Sequence, residues 1–495
     1  MSDGGGGVGV EKSDVIENLA VPASFPMYVD LDGTLYPGDT LWDSVALVMS
    51  RSPLELRRLP WLIIAGPLSV KRWLAERVVP DASLLPYRVG LIDLCRAERR
   101  RGRRVVLATA AHRRIAESVA GYLGCFDAVI ASDVTNRKGS AKLLAIREDT
   151  EGSSFLYAGD SEADRVIWGE SAGVLAAGRA ARWDSQRFQA SVLARFPDAH
   201  SRFYPFLRSL RPHQWVKNIL VFVPLVTSHR FLDKGAVVSS VLIFVAFCLC
   251  ASSAYLLNDI VDLENDRAHH RKKRRPIAAG TLPVSLAIAF VPVLLALSVV
   301  VASTTTTSAM VCALIYYVLT VAYSLVLKRL VLVDVFTLAC LYALRCCAGN
   351  AAAGIRYSPW LLGFMVFLFL SLAFAKRHSE LRNLRVFGGG DVKGRGYQSD
   401  DLELVAICGV ASGFVSALVM GLYVTSDAVS ELYDHPLGLC VLSPLVLFWI
   451  CRVWFISHRG QLHYDPIVFA LRDRMSYLFG LVVLVILVAS SGWWV

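Results

Sequence analysis

Three aspartates that could hold a metal ion stand at the end of a long apolar segment. Asp259, Asp262 and Asp266 are spaced three and four residues apart, so one helix would place their carboxylates on one face. Asn258 precedes them, and a basic run that includes Arg275 follows. Mg²⁺ is commonly bound by carboxylates together with substrate phosphates. The pattern indicates a Mg²⁺-dependent diphosphate site. The basic side chains that follow would neutralise the remaining phosphate charge.

A second set of polar residues follows short apolar strands in the first third of the chain. Asp30 and Asp32 come directly after one strand. Thr109 lies at the end of a second, and Asp160 and Asp164 come after a third. The carboxyl ends of parallel strands meet at one edge of a sheet, so these side chains are expected to lie together. Helical segments between the strands predict a Rossmann-like α/β domain with its site at that edge.

The 495-residue chain has two halves of different composition. Residues 1–200 mix charged and apolar residues, whereas residues 210–495 are dominated by long apolar runs that predict an all-α membrane domain. The eleven cysteines form no CxxC pair and are expected to pack as small apolar residues. Nine membrane spans are predicted, near 214–230, 237–257, 282–302, 308–327, 331–351, 359–375, 402–424, 437–453 and 476–494.

The basic residues between the predicted spans follow the positive-inside rule. Lys and Arg cluster in the loops at 258–281, 328–330, 376–400 and 454–475, whereas Arg356 is the sole basic residue of the opposite loops at 303–307, 352–358 and 425–436. The formal net charge of +10 is therefore assigned to loops beside the membrane and not to nucleic acid. This distribution predicts a bacterial inner-membrane protein whose N-terminal half and both sites are cytoplasmic and whose C-terminus is outside.

The run NDIVDLEND at 258–266 resembles the first signature of the UbiA superfamily of intramembrane prenyltransferases, NDxxDxxxD. The resemblance covers roughly 205–495. Prenyl-diphosphate enzymes of the superfamily usually carry a second aspartate-rich motif. Asp391, Asp400 and Asp401 lie in the corresponding loop but lack its spacing, and their roles are left open.

Basic residues elsewhere in this half indicate one branch of the superfamily. The run RPxQWxKN at 211–218 and the run KRxxE at 376–380 resemble the decaprenyl-phosphate phosphoribosyltransferase branch. Members of that branch transfer 5-phosphoribose from phosphoribosyl diphosphate to a polyprenyl phosphate. Interfacial anchoring is the alternative reading for Lys328 and Lys376. The resemblance implies phosphate contacts for Lys217, Arg275, Lys328, Arg345, Lys376 and Arg377.

The same resemblance implies a mechanism. Mg²⁺ held by Asn258, Asp259, Asp262 and Asp266 would neutralise the diphosphate leaving group, with Asp259 and Asp262 as catalytic residues. The C1–O bond would break towards an oxocarbenium-like ribosyl cation, which the lipid phosphate would attack. The alternative is prenyl transfer from a polyprenyl diphosphate to an aromatic or other acceptor. The missing second aspartate motif counts against it.

The soluble half resembles the haloacid dehalogenase-like phosphatase superfamily over about 25–180. It carries DLDGTL at 30–35, Thr109, a lysine and GDSEAD at 159–164, in the order of that family. Its helical insertion at about 36–104 is expected to form a cap. Trp61 and Trp73 are expected to be core residues of this cap or, less favoured, to touch membrane or lipid substrate.

The family resemblance assigns a role to each motif. Asp30 is the nucleophile that forms an aspartyl phosphate, and Asp32 is the general acid and base. Thr109 binds phosphate. Lys138 is the first choice for the lysine that balances the charge, and Lys142 is the second. The residues assigned to a second Mg²⁺ are Asp30, Asp160 and Asp164.

Two active sites on one side of the membrane suggest consecutive reactions. Ribosyl transfer would leave a 5-phosphate on the lipid-linked ribose, and the phosphatase would remove it. A regulatory domain that senses a phosphorylated metabolite is the alternative for the soluble half. The polyprenol length, the final glycan and the oligomeric state are left open. The predicted order is a disordered arm (1–24), the phosphatase domain (25–180), a linker (181–209) and the UbiA-like domain (210–495).

Overall fold

The structure is a computed structural model that describes residues 21–188, 190–198, 203–386, 396–426, 433–462, 466–470 and 472–491, together with Leu19 and Val429. Most of the predicted disordered arm therefore lies outside the described residues.

The chain forms two compact units that are not two consecutive halves. The first unit contains Met1–Ser209 and Asp259–Ala289, and the second contains Leu210–Asn258 and Phe290–Val495. The segment with the aspartate motif thus belongs to the same unit as the soluble half. The predicted domain boundary near residue 210 does not separate these two parts.

A six-stranded parallel sheet forms the centre of the first unit. Its spatial order is β3-β2-β1-β4-β5-β6, so the direction of winding reverses between β1 and β4. Ligands bind at such a switch point, outside the carboxyl ends of the strands. The strands are β1 (Met27–Val29), β2 (Val105–His112), β3 (Ala128–Ser132), β4 (Leu156–Gly159), β5 (Gly173–Gly178) and β6 (Val192–Pro197).

Strand β6 lies inside the predicted linker, so the sheet extends beyond residue 180. Its sequence VLARFP contains Arg195 and ends in Pro197, a pattern that is tolerated at a sheet edge and resembles a loop. The strand pairs in parallel with β5.

Helices surround the sheet. They are α1 (Thr40–Arg51), α2 (Leu59–Ile64), α3 (Pro67–Arg77), α4 (Val89–Arg100), α5 (Arg113–Leu123), α6 (Ser140–Thr150), α7 (Arg165–Trp168) and α8 (Phe203–Ser209).

The cap is smaller than the predicted segment 36–104. Helices α1 and α3 share a separate apolar cluster that includes Val45 and Trp73. Helix α4 instead buries Leu91 and Leu94 in the cluster that covers the sheet. Its apolar face matches the sheet, so the cap ends before α4.

Seven helices among the described residues are long and apolar enough to cross a membrane. The prediction of nine spans is therefore not confirmed. Their bounds are Lys234–Val261, Val284–Ser303, Thr307–Leu325, Val333–Ala353, Pro359–Arg385, Ser399–Val424 and Pro436–His458.

The two other predicted spans have different structures. The segment near 214–230 forms a 3₁₀ run, Pro212–Phe222, followed by the short helix Val223–Thr227. Pro224 lacks the N–H that a continuous helix would need at that position, so a new helix starts there. The last segment forms the apolar helix Arg474–Ser490, which at 17 residues is shorter than the other candidates.

Candidate active sites

A carboxylate cluster lies at the switch point of the sheet. Asp30 follows β1, and its amide N–H donates to the carbonyl of Ala158 on β4 at 3.0 Å. Carboxylate oxygens of Asp30, Asp160 and Asp164 all lie within 4.8 Å of one another. An all-oxygen donor set of this size fits Mg²⁺, which binds carboxylates at roughly 2.0–2.1 Å. The strands thus bring the three predicted metal ligands together.

Lys142 completes this cluster. Its ammonium lies 2.9 Å from Asp30 Oδ2 and 3.8 Å from Asp164 Oδ1. It also donates to the Tyr157 hydroxyl at 2.9 Å, and this hydroxyl donates to Asp164 at 2.8 Å. Lys138, the first choice of the sequence analysis, is exposed before the start of α6. The lysine that contacts the predicted nucleophile is therefore the second choice, Lys142.

Two loop features hold the carboxylates in place. Asp164 Oδ2 accepts hydrogen bonds from the amide N–H of Ser161 at 3.1 Å and from its hydroxyl at 2.9 Å. Gly33 has a φ of +77°, and a Cβ there would lie 2.2 Å from Asp160 Oδ2. The glycine of the DLDGT motif thus supplies a left-handed turn and leaves room for Asp160.

Asp32 is set up to carry a proton. The amide N–H of Thr40 donates to Asp32 Oδ1 at 2.7 Å, and the Thr40 hydroxyl lies 3.2 Å from Oδ2. Burial, followed by the negative charge of Asp39, raises the pKa of Asp32 well above its usual value. A carboxyl with a raised pKa keeps its proton to a higher pH, which suits a group that donates a proton to a leaving group.

The pKa values of Asp160 and Asp30 are also shifted, and Thr109 lies in the neighbouring strand β2. Burial, followed by the nearby carboxylates of Asp164 and Asp30, raises the pKa of Asp160 to about 7. Burial also raises the pKa of Asp30, although the positive charge of Lys142 opposes this shift. Thr109 is fully buried within β2, where its hydroxyl accepts from the Ala111 amide at 3.0 Å.

One further cation beside this site was not predicted. Lys71 extends from cap helix α3 and donates to the carbonyl of Ala110 at 2.6 Å and to Asn136 Oδ1 at 2.8 Å. Burial lowers its pKa, although the negative charges of Asp32 and Asp39 oppose the shift. A lysine in an ordinary amphipathic helix carries no motif, so the sequence offers no signal for this placement.

The aspartate motif spans a break between two helices. Asp259 lies near the end of Lys234–Val261, and Asp262 is the N-cap of the short helix Leu263–Ala268. The predicted single helix face is therefore interrupted at Asp262.

Arg275 links two of these carboxylates. Its Nη1 lies 3.0 Å from Asp259 Oδ1 and 2.6 Å from Asp266 Oδ2. Asp266 Oδ1 is buried and has no hydrogen-bond partner among the described residues. Burial raises the pKa of Asp266, and Arg275 opposes this shift. A buried carboxylate oxygen without a donor fits a metal ligand, so the motif is compatible with Mg²⁺.

The motif segment is attached to the phosphatase cap within the first unit. Arg267 Nη1 lies 2.9 Å from Asp43 Oδ2 on α1, and both side chains are buried. Arg267 also donates to the Tyr36 hydroxyl at 2.6 Å, and this hydroxyl donates to Asp43 at 2.7 Å. On the surface, Arg51 pairs with Glu264 at 2.7 Å. Arg267 follows Asp266 directly, so a buried ion pair joins the aspartate motif to helix α1.

In the second unit, Arg345 lies inside a helix bundle. It donates to Asn218 Oδ1 at 2.8 Å and to the Tyr316 hydroxyl at 2.9 Å. Its guanidinium also lies over the rings of Tyr316 and Tyr342, at 4.7 and 5.2 Å from their centroids. Acceptors of the protein itself therefore engage this arginine, a structural role that was not predicted.

Arg377 forms a second internal network. It donates to Asp334 Oδ2 at 2.5 Å and to the Tyr323 hydroxyl at 3.0 Å, and it also pairs with Glu380. The Tyr397 hydroxyl donates to the other oxygen of Asp334 at 2.7 Å. Arg377 and Asp334 are almost fully buried, so this pair connects helices in the protein interior.

The remaining predicted residues are placed as follows. Lys217, Lys328 and Lys376 are half-buried in the second unit. Asp391 lies outside the described residues. Asp400 is exposed, and Asp401 accepts from the Gln398 amide at 2.9 Å at the start of a helix.

Family comparisons agree with the geometry of both parts. Residues 221–463 match the UbiA prenyltransferase family, and residues 67–166 match the haloacid dehalogenase-like hydrolases. The uncharacterized protein y4nM of Sinorhizobium fredii is 37% identical over 458 residues, which cover 92% of this chain and 89% of that protein. The chain is an integral membrane protein of the UbiA prenyltransferase family that carries a haloacid dehalogenase-like domain in front of the family region.

Two further relatives match a smaller part of this chain. Nodulation protein NoeC of Azorhizobium caulinodans is 34% identical over 278 residues, which cover 55% of this chain and 89% of that protein. The decaprenyl-phosphate phosphoribosyltransferase of Corynebacterium glutamicum is 37% identical over 179 residues, which cover 35% of this chain and 54% of that enzyme. The match thus spans about half the length of the phosphoribosyltransferase.

Proposed function

We propose that this protein transfers 5-phosphoribose from phosphoribosyl diphosphate to a polyprenyl phosphate and then removes the 5-phosphate. The observation that carries the transfer step is the 37% identity with a decaprenyl-phosphate phosphoribosyltransferase. The final product is a polyprenyl-phosphoryl ribose. We place both reactions at the cytoplasmic face of a bacterial inner membrane, on the charge pattern of the loops.

In the transferase, the chain must neutralise a diphosphate that departs with its bonding electrons. Mg²⁺ held by Asp259, Asp262 and Asp266 would supply part of the positive charge that neutralises the diphosphate. Arg275 balances two of these carboxylates in the structure, and it becomes available to a phosphate when another cation takes over that role. The lipid phosphate is already an anion, so positioning and electrostatics account for most of the catalysis.

In the phosphatase, the Asp30 carboxylate attacks the phosphorus of the ribose 5-phosphate. The P–O bond to the ribose breaks, and Asp32 gives its proton to the departing 5-oxygen. Water then attacks the aspartyl phosphate, and Asp32 takes up a proton as inorganic phosphate leaves. Lys142 balances the charge at Asp30, and Mg²⁺ at Asp30, Asp160 and Asp164 would shield the phosphate oxygens.

The shared unit supports the coupling of the two reactions. The aspartate motif and the phosphatase sheet belong to one compact unit, and the buried pair of Arg267 and Asp43 lies between them. Tethering of two successive sites raises the local concentration of the intermediate at the second site.

The test is a reconstitution with phosphoribosyl diphosphate labelled in the ribose ring, a polyprenyl phosphate and Mg²⁺, with lipid products resolved by mass. We expect a ribosylated lipid without its 5-phosphate. Asp262→Ala should abolish lipid labelling, whereas Asp400→Ala, which alters an exposed acid, should not. Failure to label the lipid, together with turnover of a prenyl diphosphate and an aromatic acceptor, would replace this proposal with prenyl transfer.

A further inference from the structure

The cap presents an exposed apolar segment, residues 54–64, which we call the apolar turn. Four of its large apolar side chains are mostly exposed: Leu54 (82%), Trp61 (75%), Ile63 (62%) and Ile64 (79%). Isolated apolar residues are normal on a protein surface, but a cluster of this kind marks an interaction site. Trp73 of the same cap is 8% exposed, so the cap has a formed core from which these side chains are left out.

Basic side chains border the apolar turn. Arg57 and Arg58 are exposed within it, and the side chain of Arg72 on the adjacent helix α3 is 62% exposed. Apolar and aromatic residues beside exposed arginines are typical of segments that enter the interface of a bilayer with anionic lipids. Arg72 lies 4.0 Å from Glu76 on the same helix, whereas a purely apolar protein partner would leave Arg57 and Arg58 without complementary charge.

The cap is attached to the first turns of a helix that is long enough to span a membrane. The segment Asp259–Ala289 belongs to the first unit and connects two helices that are long enough to span a membrane, Lys234–Val261 and Val284–Ser303. Ile288, about one turn into the second of these helices, packs against the apolar cluster of the cap. The cap therefore contacts the beginning of a candidate membrane-spanning helix.

We propose that the apolar turn inserts into the headgroup and upper acyl region of the bilayer that holds the chain. Trp61, Ile63 and Ile64 contact lipid there, and Arg57 and Arg58 bind anionic headgroups. The phosphatase would then act on lipid-linked substrates from a fixed height above the membrane. The docking itself rests on the exposed surface and its attachments, and it does not depend on the proposed reactions.

The test uses the full chain in nanodiscs made of phosphatidylcholine and phosphatidylglycerol, with or without bromine at acyl carbons 6 and 7. The signal of Trp61 is the fluorescence of the wild type minus that of Trp61→Phe. We expect brominated lipid to reduce this signal by at least about half, since bromine quenches indoles that contact it. The matched control is Trp73→Phe, whose difference signal should not change because Trp73 is buried in the cap.

Three results would overturn the proposal. The first is a Trp61 signal that is equal in brominated and ordinary discs. The second is quenching by a brominated polyprenyl phosphate but not by brominated phospholipid, which would assign the apolar turn to the substrate lipid. The third is a dimer in detergent that Trp61→Glu dissociates, combined with unquenched Trp61, which would assign it to a second copy of the chain. A paired Arg57→Glu and Arg58→Glu change should reduce quenching in the anionic discs, and folding of the variants is checked by thermal unfolding.

Discussion

The negative charges of the two acidic clusters, the one around Asp30 and the aspartate motif, are balanced by different cations. Around Asp30 the carboxylate oxygens converge within one coordination sphere, and Lys142 lies at the edge of that group. In the aspartate motif, Arg275 lies between Asp259 and Asp266, at 3.0 and 2.6 Å from their carboxylate oxygens. In the first cluster one ammonium group lies beside three converging carboxylates, whereas in the motif one guanidinium bridges two carboxylates. We therefore expect a metal ion to enter the first cluster without displacing a side chain, and to compete with Arg275 at the motif.

The largest expected effect separates the two chemistries. Asp30→Asn keeps the shape of the side chain but removes the nucleophile, so phosphatase turnover should fall by at least about 10³-fold. Ribosyl transfer should continue, and lipid that retains its 5-phosphate should accumulate in the mass spectrum. Unchanged dephosphorylation by this variant would show that Asp30 is not the nucleophile.

The next effect tests which lysine serves the site around Asp30. Lys142→Ala removes the cation that lies 2.9 Å from Asp30, and phosphatase turnover should fall by about 10²-fold. Lys138→Ala, which changes an exposed residue, should stay within about twofold of the wild type. Turnover of a generic phosphoester by the full chain measures both. A reversed ranking would restore the assignment made from the sequence.

A smaller effect is expected where Arg275 and a metal ion compete. Arg275→Ala should lower the Mg²⁺ concentration for half-maximal transfer by up to about tenfold, because Mg²⁺ no longer has to break the ion pairs of Arg275 with Asp259 and Asp266. The same change should raise the KM for phosphoribosyl diphosphate, since a phosphate ligand is lost. Arg271→Ala, in an exposed part of the same segment, is the control. An unchanged Mg²⁺ requirement would mean that Arg275 and the metal occupy separate places.

The smallest effect is a pH dependence of metal binding at the phosphatase. Asp160 has a folded pKa of about 7, above the usual value of roughly 3.9. Without metal, its ionisation makes the folded state less stable as the pH rises between these values, and this destabilisation is complete above pH 7. Mg²⁺ binds the ionised form, so it should raise the Tm by a few degrees more at pH 8 than at pH 6. Asp160→Asn should remove this difference in a thermal unfolding assay, and a difference that persists would point to another titrating group.

Residues at strand ends were the most predictable part of the molecule. Asp30 and Asp160 follow apolar strands, and the topology of a parallel sheet brings such positions to one edge. Thr109 instead lies within β2, which continues to His112. Lys142 was harder to identify, because a lysine within a helical segment has no such constraint. The choice between Lys138 and Lys142 depends on where helix α6 starts, and helix boundaries are poorly defined by sequence.

The internal arginines show a different limit of sequence analysis. Arg345 and Arg377 stand out as charges within apolar segments, and such residues are expected to have partners. The sequence does not show whether the partner is a substrate or the protein. Their acceptors, Asn218 and Asp334, lie 127 and 43 residues away along the chain. The tertiary structure is therefore needed to identify the partner of each arginine. The edge strand Val192–Pro197 was missed for a related reason, since its pairing with β5 and not its composition defines it.

The divided first unit has a consequence for how the protein is made. Asp43 and Arg267 are 224 residues apart, and a membrane-spanning helix lies between Met1–Ser209 and Asp259–Ala289. During synthesis the sheet can form early, but Asp43 and Tyr36 gain their cation only after that helix has emerged from the ribosome. The first unit can therefore be completed only after this helix has been synthesised. Chains that stall before that point would carry a buried acid without its counter-ion, which gives quality-control proteases a means to recognise them.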